Sequence, residues 1–183
     1  MLSAFFRFSY WITGWSIKGG LSEGLKKCVI VVAPHTSYWD FYLGVATRAI
    51  QGFRANYLVK AELFKYKPVA WFMSITGGIP VDRKSKKQNV VEQITQFYEK
   101  RESLILAIAP EGTRKKVETF KTGFYRIAHK AKVPIVLVAF DFGKKEVRFM
   151  EEFNTSGDME KDMSYIIKQF DGVKGLHPEL GIG

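Results

Sequence analysis

Short β-type runs alternate with helical patterns along nearly the whole chain, and this alternation is what most restricts its fold. "CVIVVAP" (28–34), "SLILAIAP" (103–110) and "PIVLVAFD" (134–141) are apolar at almost every position. That is the pattern of strands covered on both faces. "ANYLV" (55–59) and "GGIPVD" (77–82) are shorter strands. Helical segments fall between them at 38–53, at 68–76 and at 123–131. The second of these opens on Pro68, which a first helical turn accepts. Ser85 and Gln88 read as a capping box for a helix reaching about Glu102, with Val91, Ile94 and Tyr98 on one face. "GKK" turns into "EVRFM", and a last amphipathic helix covers roughly 158–170. The pattern predicts one α/β domain with a largely parallel central sheet flanked by helices.

In such folds ligands bind beyond the carboxyl ends of the strands, so the residues there are the first to inspect. His35 follows the first buried run, Lys60 follows 55–59, and Arg83 follows 77–82. Glu111, Gly112, Thr113 and Arg114 follow 103–110. A histidine, a glutamate and two arginines are thus expected along one edge of the sheet.

His35 has Asp40 five positions later, and neither His129 nor His177 has an aspartate at that distance. If the chain turns at 35–37 and enters a helix near Tyr38, the two side chains lie about one turn apart. Asp40 can then accept a hydrogen bond from one ring nitrogen, fixing the tautomer and leaving the other nitrogen as a general base. Tyr38, Trp39, Phe41 and Tyr42 would dry the surroundings and strengthen the pair. The alternative is a histidine that caps the helix, with an aspartate in its first turn complementing the helix dipole. No G-x-S-x-G elbow is present, so no serine nucleophile is supplied. A base without a protein nucleophile activates a hydroxyl or amine on the substrate itself.

The 183 residues suit a single domain, and 46% hydrophobic content is enough for a core. A net charge of +10 and a pI near 9.6 favour anionic partners: nucleic acid, an acidic membrane surface or a phosphorylated substrate. One cysteine, Cys28, rules out an intramolecular disulfide and reads as a core residue. The scattered histidines give no metal-ligand spacing, so no metal is expected.

No stretch has the roughly 18 uncharged apolar residues of a membrane span. The opening segment 1–17 is different: it carries Phe5, Phe6, Phe8, Tyr10, Trp11 and Trp15 with Arg7 as its only charge. It suits either a membrane interface or a helix packed on the protein's own core. Residues 18–171 form the domain proper. The tail 172–183, rich in Gly and Pro breakers, is expected to be poorly ordered and uninvolved.

"PHTSYWD" (34–40) resembles the H-x4-D block of the glycerolipid and lysophospholipid acyltransferases. "GGIPVDR" (77–83), "PEGTR" (110–114) and "VPIVLVAF" (133–140) resemble their three later blocks, in the family's order. The similarity runs from about Gly14 to Met150. It implies a fatty acyl group moved from acyl-CoA or acyl carrier protein to a lysophospholipid-like hydroxyl, with no bound cofactor and no covalent acyl-enzyme. His35 would be the base and Asp40 its orienting partner. Arg83 and Arg114 would bind the acceptor's anionic head, with Glu111, Gly112 and Thr113 shaping the site. Guanidinium forks match phosphate, and a glycine lets backbone approach a ligand. Lys60 and Lys121 are weaker candidates that read more simply as solvated lysines.

The chain departs from the family at Pro34, where Asn is common before the histidine, at Ala109, where an aromatic is common, and at Leu137, where a second proline is common. These departures leave the acceptor open: lysophosphatidic acid is the family default, with another lyso-lipid, hydroxyl or amine as alternatives. The competing classes are a basic nucleic-acid-binding domain and a membrane module without catalysis. No nucleic-acid-binding signature is present, so no nucleic acid is expected. The reading places the protein in the cytoplasm, peripheral on the cytoplasmic face of an anionic membrane.

Overall fold

The structure is a computed structural model and describes residues 2–82 and 89–181. Arg83 and the Ser85–Gln88 pair lie outside the described residues. One seven-stranded sheet organises the chain: β1 (Ser16–Lys18), β2 (Lys27–Ala33), β3 (Ala55–Lys60), β4 (Gly78–Val81), β5 (Leu104–Ile108), β6 (Ile135–Asp141) and β7 (Glu146–Phe153). The strand order is β1-β7-β6-β2-β5-β3-β4. Five strands from β6 to β4 run parallel, while β7 pairs antiparallel with β6 and carries β1 alongside it. The largely parallel sheet read from the sequence is therefore the sheet observed. The three-residue strand β1 was not legible, being too short to show a period.

Alternation along β2 divides the core in two, because successive side chains point to opposite faces. Cys28 and Ile30 pack with Phe6, Tyr10, Leu43 and Ala46 under α1 (Leu2–Thr13) and α2 (Trp39–Gln51). Val29, Val31 and Ala33 pack with Ile94, Tyr98, Phe124, Ile127 and Ile166. That second layer consists of α4 (Val90–Lys100), α5 (Gly123–Ala131) and α6 (Met159–Lys168). Burial pushes the Cys28 thiol up to about 12, as suits an inert core residue. The remaining helix, α3 (Lys67–Ile75), follows a 3-10 turn at Ala61–Lys65 and lies on the α2 side of the sheet. Tyr57 of β3 faces Phe41 of α2, with ring centres 5.4 Å apart, and donates to Met73 Sδ at 3.3 Å.

Two local expectations change. The capping box of α4 is made by Asn89 and Glu92, four positions beyond the pair read from the sequence. The tail is not idle. The Phe142 N–H donates to Lys174 O at 2.8 Å, and the His177 N–H donates to Thr36 Oγ1 at 3.2 Å. A Cβ on Gly175 would lie 2.6 Å from Thr36 Oγ1, so only glycine lets the tail come this close to the turn carrying His35.

The opening segment packs one face of α1 on the core, as one of its two readings expected, and leaves the other face exposed. Phe6 and Tyr10 are buried, and the Tyr10 hydroxyl hydrogen-bonds Thr47 Oγ1 at 2.8 Å. Leu2, Phe5, Phe8, Trp11 and Ile12 are exposed. Phe6→Ala is therefore expected to cost about 3 kcal/mol or more in urea unfolding. Phe5→Ala should stay within about 0.5 kcal/mol.

Candidate active site

Because β2, β3, β4 and β5 are parallel, their carboxyl ends fall on one edge, and the residues that follow them converge there. β2 ends at Ala33, a cis peptide joins Ala33 to Pro34, and His35–Tyr38 lead into α2. Asp40 sits in the first turn of α2 and is buried. Its Oδ2 lies 3.0 Å from His35 Nδ1 and accepts the Ser37 N–H at 2.8 Å. One oxygen thus fixes both the backbone of the turn and the ring that the turn carries. Asp40 thus lies in the first turn of α2 and also meets the His35 ring, while the N-cap position is Tyr38 rather than His35. The His35 side chain is 22% exposed against 1% for Asp40, so the ring spans the boundary between core and solvent.

β5 supplies the opposing side. Glu111, expected among the residues shaping the site, is buried, and its Oε1 accepts the His35 N–H at 2.9 Å. Burial holds its carboxyl above the ordinary carboxylate range, and the hydrogen bond from the His35 backbone pulls it partway back. Gly112 follows at φ +65°, where a Cβ would lie 2.7 Å from Lys121 Nζ. That lysine therefore rests against the Glu111–Arg114 turn. Thr113 Oγ1 accepts the Lys115 N–H at 3.3 Å. The Arg114 guanidinium stacks on the Tyr38 ring, 3.8 Å from its centre. The sequence assigned Tyr38 only to drying the site. Its place one helical step before Trp39, level with the end of β5, was not visible without the strand register. Lys60 ends β3 on the same edge and is exposed.

Asp40 Oδ1, Glu111 Oε2 and Arg114 Nε are the buried side-chain polar atoms without a hydrogen-bond partner among the described residues, and all three lie here. Buried polar groups are normally satisfied, so three orphans in one place mark a site held ready for something else. A surface cavity of about 540 Å³ lies elsewhere, between α1, β1 and the end of α2. Among the described residues no cluster of potential ligands suits a metal ion.

Fold and site together define a three-layer α/β protein with a paired histidine and aspartate at the carboxyl edge of its sheet. A family model described as Acyltransferase matches residues 20–141. A 1-acyl-sn-glycerol-3-phosphate acyltransferase from Streptococcus pneumoniae is 30% identical over 112 residues, covering 61% of this chain and 40% of that protein. One from Saccharomyces cerevisiae is 34% identical over 123 residues, covering 62% and 38%. One from Bacillus subtilis is 29% identical over 133 residues, covering 68% and 64%. The chain thus spans about two fifths of the length of the first two relatives. The crystal structure of the 1-acyl-sn-glycerophosphate acyltransferase PlsC from Thermotoga maritima has the same fold. It superposes with a TM-score of 0.58 at 19% identity, covering 93% of this chain and 78% of that one. The chain belongs to the acyltransferase family.

The raised Glu111 carboxyl has a definite consequence for stability. Its folded pKa lies above the unfolded value of about 4.3, so stability contributed here is lost as pH rises through the range above that value. Glu111→Gln keeps an acceptor for the His35 N–H and removes the charge. The melting temperature of Glu111→Gln relative to the native protein is expected to rise between about pH 4 and about pH 8 in thermal melts. A difference independent of pH would show that no buried charge is carried there.

Proposed function

We propose that the protein transfers a fatty acyl group from an acyl thioester, on coenzyme A or acyl carrier protein, to the hydroxyl of a lysophospholipid-like acceptor. The observation that carries this reading is the 3.0 Å contact between His35 Nδ1 and the buried Asp40 carboxylate. With Nδ1 held by Asp40, Nε2 of His35 is the nitrogen left to take the acceptor's proton. As the acceptor O–H bond breaks, its oxygen attacks the thioester carbonyl and the carbonyl oxygen takes up negative charge. Collapse forms the ester and breaks the C–S bond. The proton on His35 then goes to the departing sulfur. Asp40 steadies the imidazolium between the two transfers. No residue of the protein is acylated.

In this reading Arg114 binds the acceptor's anionic head, and Tyr38 holds its guanidinium flat against the turn that follows His35. Lys121, resting on Gly112, adds positive charge to the same turn. Arg83 enters from the sequence alone. Glu111 acts on the loop backbone rather than on substrate. The relatives' names support a 1-acylglycerol phosphate as the acceptor, and the excess of basic residues suits a phosphorylated lipid. No described helix is long and apolar enough to cross a membrane. The exposed face of α1 would instead seat reversibly at an anionic bilayer surface on the cytoplasmic side, where the thioester donors are found.

His35→Ala is expected to lower turnover by a factor on the order of 10²–10⁴ with an unchanged fold. The check is thiol release from long-chain acyl-CoA and from acyl carrier protein, with lysophosphatidic acid as acceptor and circular dichroism as the folding control. Near-native thiol release from the folded variant would remove His35 from the chemistry.

A further inference from the structure

The nine-residue helix α3 contains six apolar residues, and none of its residues is fully buried. An amphipathic helix on a globular domain ordinarily buries its apolar stripe, and so short a helix relies on that packing for its stability. Here Trp71, Phe72 and Ile75 are exposed instead, and Leu63 and Tyr66 join them from the preceding turn.

These residues continue a belt. Among the large hydrophobic side chains exposed in the described residues, all but Tyr165 and Leu176 lie in α1, at the start of α2, or between Leu63 and Ile75. Contacts link the three. Phe6 of α1 meets Tyr42 of α2, with ring centres 5.9 Å apart, and Tyr42 meets Trp39 at 6.0 Å. Phe41 then meets Tyr57, which bonds Met73 and Thr76 at α3. The turn carrying His35 precedes the middle of this belt.

We propose that α3 and the turn before it form a second lipid-contacting element. It seats on the same bilayer surface as α1, so that the edge holding His35 opens between two membrane-facing helices. The proposal rests on the reading of α1 as a membrane contact and extends it to a part of the chain that the sequence placed only as a short helix. The partner is an anionic lipid surface. Lys60, Lys65 and Lys67 are exposed beside the aromatic side chains, with Glu62 as the acid among them. Trp and Tyr rings mixed with lysines suit the headgroup layer. Lysine is depleted in protein–protein interfaces, which argues against a second protein chain on this surface. An anchor of one amphipathic helix is weak, and a second contact also fixes which edge of the domain faces the lipid.

Single-tryptophan reporters test this. Replacing Trp11, Trp15 and Trp39 by Phe leaves Trp71, and replacing Trp15, Trp39 and Trp71 leaves Trp11. Each reporter is mixed with phosphatidylcholine–phosphatidylglycerol vesicles, with and without brominated acyl chains. Trp71 emission is expected to shift to the blue and to be quenched by bromine. Trp71→Ser/Phe72→Ser in the full chain is expected to reduce vesicle partitioning at least about tenfold. Quenching of Trp11 without Trp71 overturns the proposal and leaves α1 as the contact. Quenching of neither overturns both membrane readings. A blue shift of Trp71 without bromine quenching, with a doubled mass in light scattering, overturns it in favour of a second copy of the chain. Thiol release with acceptor in detergent micelles separates the enzymatic reading. Native-like turnover is expected there for Trp71→Ser/Phe72→Ser, because the site is intact and the bilayer is absent. Loss of that turnover in the folded variant would make α3 part of the site and overturn a purely lipid-contacting role.

Discussion

Two buried carboxylates hold one four-residue turn, and the rest of the site depends on that grip. Glu111 reaches across from the end of β5 to accept the His35 N–H, while Asp40 reaches back from α2 to the Ser37 N–H and to the His35 ring. Burying two carboxylates is unfavourable unless their oxygens are well paired, and each keeps one oxygen without a partner. The fold tolerates this because the parallel sheet fixes the spacing between β2 and β5 independently, through a core of Val29, Val31, Leu104 and Leu106. Stability supplied by the sheet supports an unfavourable concentration of charge at its edge.

Much of this was legible. Runs of Val, Ile and Leu with no alternation specify strands covered on both faces, and helical stretches between them force parallel neighbours. The rule that ligands meet strand ends then selects His35 and the 111–114 turn without further information. The pairing of Asp40 with the His35 ring followed from short-range spacing, whereas its bond from the Ser37 N–H did not. The target of Glu111 did not, because it lies 76 residues away, and only the pairing of β2 with β5 brings the two together. The stacking of Tyr38 on Arg114 was hidden for the same reason.

The misreadings have physical sources. Gly and Pro in 172–183 suggested disorder, yet Gly175 is needed because its missing side chain lets the tail lie against Thr36. Ser85 and Gln88 had the right spacing for a capping box, as did Asn89 and Glu92, and hydrophobic periodicity does not distinguish starts four residues apart. Six aromatics in 5–15 could not be divided between core and surface until α2 was in place to bury Phe6 and Tyr10. The two helical layers then differ in kind. One, made of α4, α5 and α6, is conventional amphipathic packing over the larger core. The other leaves aromatic side chains exposed around the site.

The central claim is that Asp40 holds His35 in the tautomer whose Nε2 can accept a proton. Nitrogen NMR of protein labelled with ¹⁵N-histidine reads this directly, with the His35 ring assigned by its loss in His35→Gln. Above the pH at which the ring is neutral, the proton is expected on Nδ1, with Nε2 showing the shift of an unprotonated ring nitrogen. In Asp40→Asn this preference should weaken. A neutral His35 carrying its proton on Nε2 in the native protein would contradict the assignment of His35 as the base.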